Sequence, residues 1–173
     1  MDNLKLPLEK FEDTKLWSYF IRIPDEVAQK YIEGKDRRIV CTLNDKEKIH
    51  CALMPSPKGY FILLKQALKK KLGIQLNEIV ELTIEKDRSK YGMPMAEEFK
   101  VCLEEEPLAL KYFEKLTPGK QRNLIHLVNQ IKSSEIKIRR SLAIVEHLIT
   151  EEGKIEYKRL NELIKKYNQN SRI

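Results

Sequence analysis

Cationic side chains are the most concentrated chemistry in this sequence. From Lys120 to Arg140 there are six Lys/Arg and one acid, and Lys65, Lys69, Lys70 and Lys71 form a second cluster. Such groups neutralise phosphates and release counterions, which gives salt-sensitive nucleic-acid binding without base contacts. Lys120, Arg122, Lys137, Arg139 and Arg140 are the candidate residues for nucleic acid or another polyanion. A solvated helix face is the plain alternative, since Glu135 and Arg139 stand at i,i+4 in the order that favours a simple intrahelical pair. Thr117-Pro118-Gly119-Lys120 reads as a helix start, where unpaired N–H groups and the dipole favour a phosphate or carboxylate. No strand precedes it and the Gly-x-x-x-x-Gly-Lys spacing is missing, so it is not a P-loop.

Acid–base chemistry has thinner support. The histidines are His50, His126 and His147, and none has a metal-ligating neighbour at helical spacing. Arg122, His126 and Asn129 share one side of a predicted helix, while Arg140 and His147 share a side of the next. His126 and His147 are therefore the candidate cleft histidines, with surface exposure as their default. Glu97 and Glu98 are adjacent and diverge on a helix, so they do not form an acid/base pair. Motifs for zinc, dinucleotide, serine-nucleophile or dithiol chemistry are absent, and neither a metal nor a cofactor is expected. Trp17, Tyr19 and Phe20 read as core, because an aromatic nucleic-acid platform needs its rings exposed beside basic residues.

These side chains ride on a chain of 173 residues with net charge +7, 42% hydrophobic and 34% charged. That balance is richer in charge than an average domain but outside the range of disorder. The length allows one domain or two small ones. The longest apolar run, Tyr60 to Leu64, is far short of a membrane helix of about 20 residues, so no membrane insertion is expected. The N-terminus lacks an apolar leader, and three cysteines read as reduced thiols of a cytoplasmic protein.

The rhythm changes near residue 90, which predicts domains over 1–90 and 91–173. Before it, period-two stretches predict strands. One puts Trp17, Tyr19, Ile21 and Ile23 on one face and Leu16, Ser18, Phe20 and Arg22 on the other. Short helices are predicted over Pro24–Glu33 and Lys65–Leu72, closed by Gly34 and Gly73. A three-residue loop, Asn44-Asp45-Lys46, pairs Leu43 with Glu47 and brings Ile39, Cys41, Leu43, Ile49, Cys51 and Leu53 to one side. On that register Cys41 and Cys51 are diagonal core neighbours.

An internal repeat organises this half: Tyr19-Phe20-Ile21-Arg22-Ile23 recurs 41 positions later as Tyr60-Phe61-Ile62-Leu63-Leu64, and Ile39-Val40 recurs 40 positions later as Ile79-Val80. Two strand–helix–strand units predict a pseudo-dimer closing a small barrel. After residue 90, helices are predicted from Pro94, over Leu108–Leu116, from Thr117 and from Ser133 or Ser134. Their stripes are Leu124, Leu127, Val128 and Ile131, then Ile138, Leu142, Val145 and Ile149, with a last amphipathic stretch through Leu160 and Ile164.

Lys69 to Asp87, with its Leu72-Gly73-Ile74 helix end, is similar to the swapped-hairpin AbrB-type pattern, and Ile23-Pro24 supplies the matching entry in the first unit. Residues 14–90 resemble a barrel family of unknown function that often precedes a helical domain. Residues 93–153, with Leu116-Thr117-Pro118-Gly119-Lys120-Gln121-Arg122 as their most specific stretch, resemble the bacteriocin-protection, YdeI/OmpD-associated family. Three departures stand out: Asn44-Asp45 replaces an Asn-Gly turn, Asn77-Glu78 a Gly-Asp turn, and Glu135-Ile136-Lys137 a Glu-Thr-Arg. The resemblance implies an α+β chain, a double-split barrel followed by helices, and a link to antimicrobial-peptide resistance.

The expectation is a cytoplasmic, non-enzymatic binding or regulatory protein that captures an anionic partner through the basic helical face. The alternatives are a small-ligand binder or enzyme using a cleft between barrel and bundle, with His126 or His147 as acid/base, and a protein–protein adaptor in stress or peptide resistance.

Overall fold

Among the described residues, the first half of the chain forms eight strands that share one core. The computed structural model describes residues 1–12 and 19–169, so Leu16, Trp17 and Ser18 of the first predicted strand lie outside the described residues. The chain divides into two units, Met1–Arg88 and Ser89–Ile173, and its class is α+β.

In the first unit the strands are β1 (Asp2–Pro7), β2 (Glu9–Lys10), β3 (Tyr19–Ile23), β4 (Arg38–Leu43), β5 (Glu47–Ala52), β6 (Met54–Ser56), β7 (Gly59–Leu64) and β8 (Ile79–Lys86). They make two four-stranded antiparallel sheets, ordered β1-β8-β4-β5 and β2-β3-β7-β6. The repeat-related strands pair with each other in both sheets. Ile21 lies opposite Ile62 at the centre of β3·β7, and Thr42 lies opposite Thr83 in β4·β8. The predicted hairpin register holds: Leu43 faces Glu47, and Cys41 faces Ile49. Asn44 and Asp45 both adopt positive φ, 49° and 52°, which asparagine and aspartate tolerate better than branched residues. Ile39, Cys41, Leu43 and Leu53 are fully buried, with Ile49 and Cys51 packed against them. The Cys51 thiol and burial together push the Cys41 thiol far above its ordinary value, so Cys41 stays protonated.

Two helices flank the sheets: α1 (Asp25–Ala28), extended by a one-turn 3-10 helix over Gln29–Tyr31, and α2 (Gln66–Leu72). Gly73 closes α2 at φ 68°, as its position predicts. Gly34 does not cap the first helix. The helix ends at Tyr31, Ile32 is extended, and Gly34 at φ 60° serves a tight turn in which Glu33 and Asp36 exchange backbone hydrogen bonds. The Tyr31 ring is buried in the core, and its hydroxyl donates to the Asp2 carboxylate and lies 3.0 Å from the Ile84 carbonyl. Burial and the Asp2 carboxylate push that phenol up to about 12.

The second unit holds α3 (Glu97–Glu105), α4 (Pro107–Lys115), α5 (Pro118–Asn129), α6 (Ser134–Thr150) and α7 (Tyr157–Gln169). Thr117 and Ser133 cap α5 and α6, their hydroxyls accepting from the backbone N–H of Lys120 and Ile136. The core centres on Phe99, Phe113, Leu124, Ile144 and Leu148. Two predicted stripes are corrected. On α5 the buried set is Gln121, Leu124, Ile125 and Val128, with Leu127 at its margin. On α6, Ile138 and Leu142 are exposed, while Ser141, Ala143, Ile144, Val145, His147 and Leu148 are buried. Because α6 packs against α3, α4, α5 and α7, its buried sector is broader than one stripe and turned away from it. Among the described residues, no helix is long and apolar enough to cross a membrane.

Candidate functional site

The predicted basic face is largely occupied by internal contacts. Lys137 pairs with Glu98 at 3.9 Å, and Arg139 pairs with Glu135 one turn away. Arg140 donates to the Leu127 carbonyl at 3.1 Å, satisfying an acceptor in the last turn of α5. Lys120 is exposed and Arg122 half-buried on the first turns of α5, and neither has an acidic partner among the described residues.

The histidines occupy three different environments. His126 is exposed on α5. His147, expected on the surface, is 1% exposed, and its Nε2 accepts from the Glu156 backbone N–H at 3.1 Å. Burial lowers its pKa against the opposing pull of Glu151 and Glu156. His50 on β5 turns its Nδ1 to Asp87 at 2.9 Å, a carboxylate buried just after β8. Thirty-seven positions separate those two, so no local pattern could have linked them. Among the described residues, no group of three or more His, Cys, Asp or Glu converges to hold a metal.

Charged and aromatic groups do converge on the outer face of β2-β3-β7-β6. Side chains alternate along a strand, so turning Tyr19, Ile21 and Ile23 inward sends Phe20 and Arg22 outward. The same alternation on β7 sends out Phe61 and Leu63, and cross-strand register sets Arg22 against Phe61 and Phe20 against Leu63. Phe11, just past β2, stacks on Phe20 with centroids 4.4 Å apart and planes at 28°. Phe61 meets both rings edge-on, at 5.5 and 5.6 Å. Arg22 lies over the Phe20 ring, its Cζ 5.3 Å from the centroid. Its Nε meets Glu9 at 3.5 Å and its Nη1 donates to the Lys58 carbonyl at 3.3 Å.

The β6–β7 turn that carries Lys58 is built tightly. The Ser56 hydroxyl donates to the Gly59 carbonyl at 2.9 Å and accepts from the Lys58 N–H at 3.3 Å. Gly59 holds φ 99°, a backbone conformation that strains any residue with a side chain. The result is a groove of about 340 Å³ between Lys10, Phe11, Arg22, Lys58 and Phe61. Phe11 is 36% exposed, and neither Lys10 nor Lys58 has an acidic partner among the described residues. The sequence signal for this groove was the outward parity of Phe20 and Arg22. Phe11 and Lys58 reach it only through sheet topology.

The described residues of the helical unit include a hollow of about 390 Å³ among Tyr91, Met93, Met95, Leu103 and Leu110. Its lysines are already paired, Lys90 with Glu114 at 2.7 Å and Lys100 with Glu97 at 3.8 Å. The groove of the first unit therefore has the better claim to a charged ligand.

No curated protein and no solved structure matches the chain. Residues 93–150 are similar to the family described as bacteriocin-protection, YdeI or OmpD-associated. Residues 7–84 are similar to a domain of unknown function, DUF1905, so the two matches fall one on each unit and support a two-domain arrangement.

Proposed function

We propose that this protein is a non-enzymatic binding protein that captures an anionic partner, with the groove of the first unit as the seat. The observation that carries this reading is the meeting of Arg22, Lys10 and Lys58 around a phenylalanine cluster whose outer ring, Phe11, is exposed. Lys120 and Arg122 are the remaining outward cations of the predicted helical face; Lys137, Arg139 and Arg140 are held by neighbours. We read the first unit as a double-split barrel of AbrB-like pattern, supported by the pairing of repeat-related strands in both sheets. A cytoplasmic setting agrees with three free cysteines. An adaptor role in peptide resistance is what the description of the helical family suggests.

The reading is tested by fluorescence anisotropy of the whole chain with a labelled single strand and a labelled heparin fragment. Three cations meeting phosphates give a slope of about −2 in log affinity against log salt, so single-strand affinity falls about twentyfold between about 50 and about 200 mM. Heparin is expected to bind with a similar salt sensitivity. Absence of binding to both at low salt, or binding indifferent to salt, would contradict it.

A further inference from the structure

We infer that the groove takes a single-stranded nucleic acid, one base continuing the Phe20–Phe11 stack while Lys10, Arg22 and Lys58 hold the backbone. This rests on the anion-binding reading and specifies its ligand. Phe20 is 4% exposed, so its ring is already covered, whereas Phe11 is 36% exposed. Phe11 is thus the open end of a two-ring stack, and Phe61 stands edge-on beside it as a wall. An unpaired base presents the flat apolar face that continues such a stack, whereas a duplex keeps its base faces buried against each other. A polyanion without rings leaves the aromatic surface unused.

The internal repeat accounts for the polarity of the surface. Phe20 and Phe61 are equivalent positions of the two copies and meet at 5.6 Å across β3·β7. Their neighbours have diverged: Arg22 in the first copy corresponds to Leu63 in the second, which is 43% exposed. One bank of the aromatic pair is therefore cationic and the other aliphatic, the division a strand with phosphates on one side and bases on the other requires. Arg22 and Lys58 adjoin through the bond from Nη1 to the Lys58 carbonyl, so both can serve one phosphate region. Glu9 is spent on Arg22. Glu12, next to Phe11 and without a cationic partner among the described residues, keeps phosphates toward the Arg22–Lys58 bank.

The test uses the whole chain with three labelled ligands of equal length: an oligothymidine, the same backbone without bases, and a blunt duplex. The oligothymidine is expected to bind about 5- to 160-fold more tightly than the abasic strand, the range of one base stacked on one ring. Phe11→Ala is expected to abolish the difference between the oligothymidine and the abasic strand, whatever it does to the affinity they share, while Phe11→Tyr, which keeps the ring and the packing on Phe20, retains the difference. Equal binding of oligothymidine and abasic strand by the wild-type chain, or preference for the duplex, overturns the base-stacking inference while leaving anion capture standing. Failure to bind any of the three, together with heparin, overturns both.

Discussion

Burial fixes the protonation state of His147. With Nε2 accepting from the Glu156 N–H, the neutral ring carries its proton on Nδ1, and removal from water holds the pKa below the ordinary value of 6.5. The unfolded chain takes up a proton there as pH falls through that value, and the folded chain resists it. Protonation therefore favours the unfolded state, and the stability His147 contributes is full above the unfolded value and lost below it. Melting temperature should drop between about pH 7.5 and about pH 5.5, and the drop should be smaller in His147→Gln, whose amide does not titrate; equal drops would contradict this assignment. Asn129 works through geometry instead of charge. Its Oδ1 accepts from the Ala96 N–H at 2.9 Å and its Nδ2 donates to the Pro94 carbonyl at 2.7 Å. Because Ala96 offers no side-chain cap for α3, Asn129 supplies one from the end of α5. Asn129→Ala leaves the half-buried Ala96 N–H without its acceptor, while the exposed Pro94 carbonyl can turn to water, and is expected to cost about 1 kcal/mol, read from the urea midpoint at unchanged slope.

Among the elements, those whose rules are local were legible in the sequence. Thr117 with Pro118, and Ser133, announce the starts of α5 and α6 within three or four residues. The β4–β5 hairpin was legible because only an odd loop keeps Ile39, Cys41 and Leu43 on the same side as Ile49 and Cys51, and parity needs no distant information. The repeat revealed which strands are equivalent, though not that they pair with each other across both sheets. The faces of α5 and α6 were not legible. A helix surrounded on several sides has no single apolar stripe, so Ile138 and Leu142 follow the sequence period yet stay exposed, and Ser141 and His147 break it yet are buried. The groove was barely legible: strand parity puts Phe20 and Arg22 on one face, but Phe20 reads as core and is indeed 4% exposed, Phe11 arrives from beside β2 and Lys58 from a turn 36 residues beyond Arg22. The basic stretch from Lys120 to Arg140 was visible as composition. Its neutralisation was only partly so, since Glu135 lies one turn from Arg139 while Glu98 belongs to another helix.

At the scale of the whole molecule, net charge +7 is spread over both units, and charge alone does not say where an anion binds. What separates the two surfaces is the aromatic ring beside their unpaired cations. On the helical unit, three of the five predicted cations are held by a carboxylate or a carbonyl, which leaves Lys120 and Arg122. On the first unit, Arg22 is held by Glu9 and the Lys58 carbonyl, while Lys10 and Lys58 are unpaired among the described residues and stand beside the exposed Phe11 ring. The most direct test compares two double variants of the full chain by anisotropy with one labelled single strand at low salt. Lys10→Ala with Lys58→Ala, both at solvent-facing positions, should weaken binding strongly and lower the salt slope by about 1.4, two contacts' worth. Lys120→Ala with Arg122→Ala should leave most of the affinity in place. The reverse pattern, with binding lost from the helical pair and kept by the groove pair, would contradict the account.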